Sequence, residues 1–320
     1  MKKIVTYILQ LSPAHRERIA AAARRHGYTV CFCEDAATAR AEAAEAEILF
    51  TGNHALPGVA PQLRWLCLPS AGVDGYLSRE LYANPQAMLS NSSGAYGVTI
   101  SEHIVMVTLE LMRRQPEYSA VTQRHGWRRD LAIRSIRGSR VTLLGTGDIG
   151  TETARKLRAF GPERILGVNR TGRHPGGEFD EVFPLSGLDA LLPETDLLVM
   201  SLPGTPETAG IMDARRLALL PHDAFLVNVG RGSAIDQKAL QALMTAGHLL
   251  GAALDVFEVE PLPPEDPLWD CPRLLITPHC SGNMTLGYTL DRIVALFLED
   301  FENYCAGRPL ARQVDFELGY

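Results

Sequence analysis

Long hydrophobic runs are missing from this sequence of 320 residues. No segment approaches the roughly 18 consecutive apolar residues that a membrane-spanning helix requires. An excess of positive charge is missing too, because 31 lysines and arginines stand against 37 acidic residues and the net charge is -6. Such a chain has no general attraction to nucleic acid or to an anionic membrane. We therefore expect neither of these as a partner.

Cysteine is scarce and is not arranged for a metal ion. The six cysteines, at positions 31, 33, 67, 271, 280 and 305, include no Cys-x-x-Cys pair and no histidine–cysteine spacing typical of zinc. Cys31 and Cys33 alternate within a strand-like segment and share one face, which disfavours a disulfide between them. We interpret the cysteines as buried thiols of a reducing compartment, which predicts a cytoplasmic protein without a metal site.

Strand-like and helix-like segments alternate through residues 3–98. The first helical segment has Ser12 as its N-cap and Pro13 as its first residue. This alternation predicts an α/β domain in which helices cover both faces of a parallel sheet. The loop Ser70–Asp74 follows a strand, where open α/β sheets bind ligands, and its small residues would let backbone N–H groups converge on a carboxylate. An ordinary strand-to-helix turn is the alternative for this loop.

The most informative stretch is Val141–Gly150, which reads VTLLGTGDIG. A strand-like run leads into Gly145, Gly147 and Gly150, spaced G-x-G-x-x-G, and helical periodicity follows. This pattern predicts a dinucleotide site. Gly145 would form the tight turn, Gly147 would leave the backbone bare against a pyrophosphate, and Gly150 would let the helix pack closely on the strand.

The choice between the two nicotinamide dinucleotides depends on the end of the next strand, RILGVN. About twenty residues beyond the turn, an NAD site places an acidic residue on the ribose 2′-hydroxyl. Asn169 occupies that position here, and Arg170, Thr171 and Arg173 follow. Guanidinium groups suit a 2′-phosphate. We therefore predict NADP(H), with NAD(H) as a weaker alternative; the arginines could also simply face water.

A long helical pattern from about residue 98 to 114 connects two domains. Glu102 and His103 are adjacent on it and point in different directions, which favours structural hydrogen bonding over a joint catalytic role. The segment 113–139 contains seven arginines and Trp127. Because the chain is acidic overall and has no nucleic-acid motif, we interpret this segment as a solvated connection or a subunit contact.

The domain organisation follows from the last helical pattern. Residues 286–304 form an amphipathic stripe with no strand after it, so this helix should return to the first domain. We predict a discontinuous substrate domain of residues 1–98 and 286–320 and a dinucleotide-binding domain of residues 99–285. The length of the chain suits two domains.

Read together, these motifs resemble the D-isomer-specific 2-hydroxyacid dehydrogenase family over nearly the whole chain. The matching stretches, in order, are PSAGVD, SEHIVM, LLGTGDIG, SLPGTPET, LVNVGRGSAID, ALDVFEVEPLP, PLWDCPRLLITPH and SGN. The resemblance implies two Rossmann-like domains, a flavodoxin-like substrate domain and a dinucleotide-binding domain, with a cleft between them and a homodimeric assembly. It also implies a catalytic arginine at Arg231, a glutamate at Glu260 and an acid/base histidine at His279.

Further site residues are implied by the same resemblance. Asp148 and Ile149 would contact the pyrophosphate through their backbone, and Asp255 would bind the nicotinamide carboxamide. Ala71, Gly72 and Val73 would hold the substrate carboxylate. Additional cofactor contacts fall on four positions in the matching stretches, namely Pro203, Thr208, Val229 and Gly282.

The chemistry of these residue types agrees with the resemblance. Reduction of a 2-keto acid needs a cation for the carboxylate and ketone and an acid for the developing alkoxide. Arg231 offers a permanent charge, His279 can carry a proton near neutrality, and Glu260 would orient its ring. The sequence thus predicts NADP(H)-dependent reduction of 2-keto acids to D-2-hydroxy acids. The alternatives are glyoxylate/hydroxypyruvate reductase specificity, a non-enzymatic nucleotide-sensing scaffold of the same fold, and a dehydrogenase of phosphate-bearing 3-hydroxy acids.

Overall fold

The computed structural model describes residues 2–320 and divides into two compact units. The first consists of residues 2–96 and Asn283–Tyr320, and the second of Gly97–Gly282. The predicted boundaries at 98 and 286 lie a few residues away. Local hydrogen bonds explain the difference at the first boundary, because the N–H of Gly97 donates to Asp148 Oδ2 at 2.7 Å within the second unit.

Strands and helices alternate along most of the described chain. The strands are β1 (Lys3–Tyr7), β2 (Thr29–Phe32), β3 (Ile48–Thr51), β4 (Trp65–Cys67), β5 (Met88–Ser90), β6 (Arg140–Leu144), β7 (Arg164–Asn169), β8 (Glu181–Pro184), β9 (Leu197–Met200), β10 (Phe225–Asn228), β11 (Gly251–Leu254) and β12 (Leu274–Ile276). The helices are α1 (Pro13–Arg25), α2 (Ala36–Ala43), α3 (Gly97–Met112), α4 (Gln115–Thr122), α5 (Asp148–Arg158), α6 (Leu188–Leu191), α7 (Ala214–Leu217), α8 (Gln237–Thr245) and α9 (Gly287–Cys305).

The first unit is built on a parallel five-stranded sheet with the order β2-β1-β3-β4-β5. This is the flavodoxin-like order. Side chains of β3 alternate between the two faces: Phe50 stacks on Phe297 of α9 with ring centroids 4.2 Å apart, whereas Leu49 packs in the cluster that contains Ala39 of α2. The helix α9 therefore returns to the first sheet, which its unpaired apolar stripe predicted.

The second unit contains a parallel seven-stranded sheet with the order β12-β11-β10-β9-β6-β7-β8. The strand order reverses at β6, which pairs with β7 on one side and β9 on the other. In open α/β sheets, ligands bind at the carboxyl ends of the strands beside such a reversal. The turn Gly145–Gly150 follows β6 directly, so the fold places it at this point.

Four elements were not predicted from the sequence, among them the four-residue helix α6. The strands β5 and β8 have only three and four residues and lie at sheet edges, where so few residues carry no readable alternation. The helix α4 lies within the arginine-rich segment 113–139. By contrast, Ser12 caps α1 by accepting from the N–H of His15, and Pro13 is its first residue, as predicted.

Several classes of site are not found within residues 2–320. None of the helices in this part of the chain combines the length and apolar character of a membrane span. The same residues contain no group of three or more histidine, cysteine or acidic side chains placed to hold a metal ion. All six cysteines are free, and the Sγ atoms of Cys31 and Cys33 are 3.7 Å apart.

Candidate active site

The glycine-rich turn has the geometry that its spacing predicts. Gly145 has φ +112°, a conformation that side chains disfavour, and Gly147 is the N-cap of α5. A Cβ at Gly150 would lie 2.0 Å from the carbonyl oxygen of Gly145, so only glycine allows α5 to lie this close to the turn. Apart from Gly147 itself and its two chain neighbours, no described residue has an atom within 4 Å of the place that a Cβ of Gly147 would take. The turn therefore presents open backbone and helix N–H groups, which fit a dinucleotide pyrophosphate.

Asp148 and Ile149, the first residues of α5, lie at this turn. The carboxylate of Asp148 is directed to the start of α3, where it accepts the N–H of Gly97 at 2.7 Å. The Asp148 side chain therefore links the starts of α3 and α5. Its backbone, at the start of α5, is well placed for the predicted contact with the pyrophosphate. That contact stays a prediction.

Asn169, at the end of β7, organises the loop that follows it. Its Oδ1 accepts the N–H groups of Thr171 and Gly172 at 3.1 and 2.7 Å. Its Nδ2 donates to Thr146 Oγ1 at 2.8 Å and to the carbonyl of Arg173 at 2.9 Å. Thr171 and Arg173 themselves are exposed, as is Arg170. The structure thus uses the Asn169 amide inside the loop and presents its neighbours to solvent.

Other predicted cofactor residues lie at strand ends of the same sheet. Pro203 follows β9, and its carbonyl accepts a hydrogen bond of 2.6 Å from the buried hydroxyl of Thr208, which closes the loop between them. Val229 is buried directly after β10. Gly282 ends the second unit. Because parallel strands share one carboxyl edge, these positions lie on the edge that carries the glycine turn.

Arg231 is held by the turn after β10. Asn228, which is buried, donates from Nδ2 to the carbonyl of Arg231 at 2.9 Å and accepts the N–H of Gly230 at 3.0 Å. The guanidinium donates from Nη1 to the carbonyl of Gly230 at 2.7 Å. The next residue, Gly232, lies so close to Phe257 that a Cβ would be 1.9 Å from its carbonyl carbon. This close approach brings the Arg231 turn against the segment that leads to Glu260.

Glu260 and His279 form a direct pair. His279 Nδ1 lies 2.6 Å from Glu260 Oε2, and the other carboxylate oxygen accepts the N–H of Phe257 at 2.8 Å. The backbone bond fixes the carboxylate, so Oε2 faces the imidazole. Because Nδ1 is used by Glu260, Nε2 is the nitrogen that can exchange a proton with a substrate. The predicted acid/base pair is therefore assembled in this structure.

An apolar cavity of about 440 Å³ borders this pair. Trp269 is fixed at the cavity by a hydrogen bond of 2.8 Å from its indole to the carbonyl of Pro263. The lining residues other than the pair itself are Phe257, Pro261, Leu262, Trp269, Ile276 and Pro278.

Asp255 is placed behind the pair and is 1% exposed. Its carboxylate accepts the hydroxyl of Thr277 at 2.5 Å and the N–H groups of Cys280 and Ser281 at 3.0 Å each. The predicted contact with a nicotinamide carboxamide stays a prediction. In the structure, the Asp255 carboxylate accepts hydrogen bonds from residues before and after His279 in the loop.

Sequence reasoning did not assign a role to Thr277, although it lies in the quoted stretch ITPH. Its hydroxyl lies 3.3 Å from His103 Nε2, across 174 residues of sequence. This contact confirms the predicted hydrogen-bonding role of His103. Burial lowers the pKa of His103 below its ordinary value, against the opposing effect of Asp255 and Glu110. Its imidazole is therefore neutral at pH 7.

The first unit holds the predicted carboxylate-binding loop after β4. Asn91 Nδ2 donates to the carbonyl of Ala71 at 2.7 Å, and the Ser70 hydroxyl donates to the carbonyl of Gly72 at 2.8 Å. Both side chains therefore bind carbonyl groups of the loop. The predicted contact of its N–H groups with a carboxylate stays a prediction.

Comparison with known proteins agrees with this arrangement. Residues 105–281 match the family model described as D-isomer specific 2-hydroxyacid dehydrogenase, NAD binding domain, which is more than half of the chain. The chain belongs to this family. It is an NAD(P)-dependent 2-hydroxyacid dehydrogenase, and the predicted family, fold class and enzyme class are confirmed.

Individual members of the family are similar over most of this dehydrogenase. A glyoxylate/hydroxypyruvate reductase A of Yersinia enterocolitica is 32% identical over 268 residues, which cover 81% of this chain and 82% of that protein. A family member from Aeromonas salmonicida has a solved structure with TM-score 0.86 and 33% identity, covering 99% and 100% of the two chains. The NADPH-dependent glyoxylate/hydroxypyruvate reductase of Sinorhizobium meliloti, solved with NADP and sulfate, has TM-score 0.83 and 30% identity, and both chains are covered completely.

Proposed function

We propose that this dehydrogenase reduces small 2-keto acids to D-2-hydroxy acids with NADPH, and that Arg231, Glu260 and His279 are its catalytic residues. The observation that carries the proposal is the 2.6 Å contact between His279 Nδ1 and Glu260 Oε2. This acid/base pair follows β11 and β12 of the sheet whose β6 bears the dinucleotide turn. A dinucleotide site and an acid/base pair on one sheet are the parts that a hydride-transfer enzyme needs.

The residues of this chain have distinct tasks in that reaction. NADPH, when bound, supplies the hydride that adds to C2 of the keto acid. Arg231 binds the substrate carboxylate and polarises the carbonyl with a permanent positive charge. His279 gives its Nε2 proton to the carbonyl oxygen as that oxygen gains charge, and Glu260 stabilises the imidazolium before the transfer. One hydride and one proton thus convert the ketone to an alcohol.

Cofactor preference is attributed to the loop after β7. Asn169 has no charge to repel a phosphate, and its amide holds the loop through four hydrogen bonds of 3.1 Å or less. Arg170, Thr171 and Arg173 are exposed beside it. Guanidinium and hydroxyl groups at this position suit a 2′-phosphate. The reductase of Sinorhizobium meliloti is described as NADPH-dependent and was solved with NADP. NAD(H) is the weaker alternative.

The substrate is expected to be a keto acid with a small side group. The amides of Ala71, Gly72 and Val73 would hold its carboxylate. Several of the relatives that cover about four fifths of the chain are glyoxylate/hydroxypyruvate reductases, which makes glyoxylate and hydroxypyruvate the first substrates to test. A panel of 2-keto acids, followed by nicotinamide absorbance, tests this directly. A panel without turnover by the wild-type protein would contradict the proposed substrate class.

The catalytic assignment is tested by replacing two residues separately. Arg231→Ala and His279→Ala should each lower kcat/KM for the best keto acid by about 100-fold or more, because one removes the carboxylate cation and the other the proton donor. His279→Ala should still bind NADPH, as measured by cofactor fluorescence. Arg308→Ala, an exposed change in the first unit, is the control and should keep full activity. Full activity of His279→Ala would reject the mechanism.

The assembly and the location in the cell are also part of the proposal. We expect a homodimer whose contact includes the segment 113–139, where Trp127 is 92% exposed. Such exposure of a large aromatic residue is typical of contact surfaces. The free cysteines suit the reducing cytoplasm, where we place the protein.

A further inference from the structure

A polar cluster lies behind the catalytic pair, and the mechanism above does not use it. It consists of His103 on α3, Asp255 after β11 and Thr277 after β12. Thr277 Oγ1 lies 2.5 Å from Asp255 Oδ1 and 3.3 Å from His103 Nε2. The three side chains thus form a continuous chain of hydrogen bonds from the helix to the two strand ends.

The direction of these hydrogen bonds follows from the number of hydrogens. An ionised carboxylate can only accept, so the single hydroxyl hydrogen of Thr277 goes to Asp255. The oxygen of Thr277 must then accept from His103, which therefore carries its hydrogen on Nε2. Burial lowers the pKa of His103 and so favours its neutral form, in which only one ring nitrogen carries a hydrogen. The cluster thus has one fixed direction, from His103 through Thr277 to Asp255.

The cluster is connected to His279 through the backbone. His279 has φ +50°, which residues other than glycine rarely adopt and which persists only where the surroundings enforce it. Its N–H donates to the carbonyls of Asp255 and Thr277 at 2.9 and 3.0 Å. The next two N–H groups, of Cys280 and Ser281, donate to the Asp255 carboxylate. Hydrogen bonds on both sides of His279 therefore converge on Asp255 and Thr277.

We propose that Thr277 and His103 are positioning residues, which act through Asp255 to hold His279 in the left-handed conformation that directs its Nδ1 at Glu260. Neither residue needs to touch the substrate or the cofactor. The expected effect of Thr277 and His103 on catalysis rests on the proposed function, because it requires His279 to be the proton donor. Their expected effect on the geometry of His279 is independent of the proposed function.

The sharpest test changes one hydroxyl. Thr277→Val keeps the shape of the side chain and removes the hydrogen bonds, whereas Thr277→Ser keeps the hydroxyl. Thr142→Val is the matched control, because Thr142 is also a hydroxyl of the second unit, buried and paired with Thr195 Oγ1 at 2.7 Å, but away from His279. We expect Thr277→Val to lower kcat by about 10-fold or more, since small misplacements of a catalytic group are costly. Thr277→Ser should restore most of kcat.

The pH profile separates positioning from a general loss of structure. Reduction needs protonated His279, so kcat should fall as the pH rises, and Glu260→Gln should move this fall to lower pH. Thr277→Val should move it in the same direction by a smaller amount, because a displaced ring is less well paired with Glu260. His103→Leu should act like Thr277→Val, and His103→Gln, whose amide can donate to Thr277, should restore the profile. The affinity for NADPH should change by less than about two-fold, since none of these groups contacts the cofactor in the proposal.

Two results would overturn the proposal: a pH profile of Thr277→Val that matches Thr142→Val, or equal defects in Thr277→Val and Thr277→Ser. A third measurement does not depend on activity. The NMR chemical shifts of the His279 backbone and ring report its conformation in the cofactor-free protein, where Thr277→Val should change them and Thr277→Ser should not. If the wild type reduces no keto acid but shows this NMR difference, the proposed function fails and the positioning role stands.

Discussion

At the scale of single residues, the two polar side chains Asn169 and Asp255 illustrate the same principle. Asn169 ends β7 and accepts two backbone N–H groups of the loop that follows it. Asp255 follows β11 and accepts two backbone N–H groups of the loop after the neighbouring strand β12. An unsatisfied buried amide is costly, so a side chain that accepts two of them fixes the loop in one conformation. For Asn169 the loop presents Arg170 and Thr171, and for Asp255 it presents His279. In both cases the group that we propose to bind a ligand lies beside the residue that shapes the loop.

His103 gives a prediction about stability in acid. Burial lowers its pKa in the folded protein below the ordinary value, so between the two pKa values the unfolded chain binds a proton that the folded chain does not. The contribution of His103 to the free energy of unfolding is fully present above the pKa of the unfolded chain, about 6.5. It is lost as the pH falls through the lower pKa of the folded protein. His103→Gln should therefore lose less stability than the wild type when the pH drops from about 7 to about 5.5.

The measurement is the urea midpoint at each pH, and the difference in slope should correspond to less than about one proton per molecule. His222→Gln, at an exposed position of the second unit, is the control and should follow the wild type. Identical slopes for His103→Gln and the wild type would show that the buried ring is not titrated in this range.

At the scale of elements, the proposal divides the binding of the dinucleotide between the β6 turn and the β7 loop. The turn offers backbone groups, which any nicotinamide dinucleotide can use, because its glycines leave the backbone open. The loop after β7 offers side chains, and only these can distinguish a phosphate from a hydroxyl. Cofactor preference is thus expected to depend on the loop and not on the turn.

Arg170→Ala tests this division. It should lower kcat/KM for NADPH by about 10- to 100-fold, because a charge-assisted hydrogen bond is worth about 1.5–3 kcal/mol. The value for NADH should stay within about two-fold, since its ribose carries no phosphate for the guanidinium to bind. Steady-state kinetics with both cofactors gives the ratio, and Arg308→Ala is the control. A wild-type preference for NADH, or an equal decrease with both cofactors, would contradict the assignment.

At the scale of the whole molecule, the connecting segment 113–139 contains the most exposed of the large apolar side chains that the structure describes. Trp127 is 92% exposed and Ile133 is 47% exposed. Both lie beyond α4, in a part of the segment without regular secondary structure. A chain that leaves such residues in water loses the free energy that their burial would provide, which favours a contact with a second copy.

The double variant Trp127→Ser/Ile133→Ser tests the proposed homodimer. It should raise the dissociation constant by at least about 10-fold, because buried aromatic residues dominate interface energies. Sedimentation at several micromolar concentrations measures this, and Leu9→Ser, at a 59% exposed position of the first unit, is the control. If the wild type sediments as a monomer throughout this range, the homodimer is excluded.

The sequence by itself determined the features that depend on neighbours in the chain. The strand, three glycines and helix around Gly145 follow from local periodicity and from the steric demands of a tight turn. The residue types at Asn169, Arg170 and His279 could likewise be read from their motifs. Short edge strands such as β5 and β8 could not, since so few residues show no periodicity.

The tertiary structure alone decided which distant groups meet. His103 and Thr277 are separated by 174 residues, and Asp255 and Thr277 by 22, so no local pattern relates them. Their contact requires α3, β11 and β12 to pack in one arrangement. The conformation of His279 depends on the same contacts, because an isolated residue would avoid φ +50°. The motifs thus specify the chemical groups of the site, and the packing of the second sheet fixes the positions in which they can act.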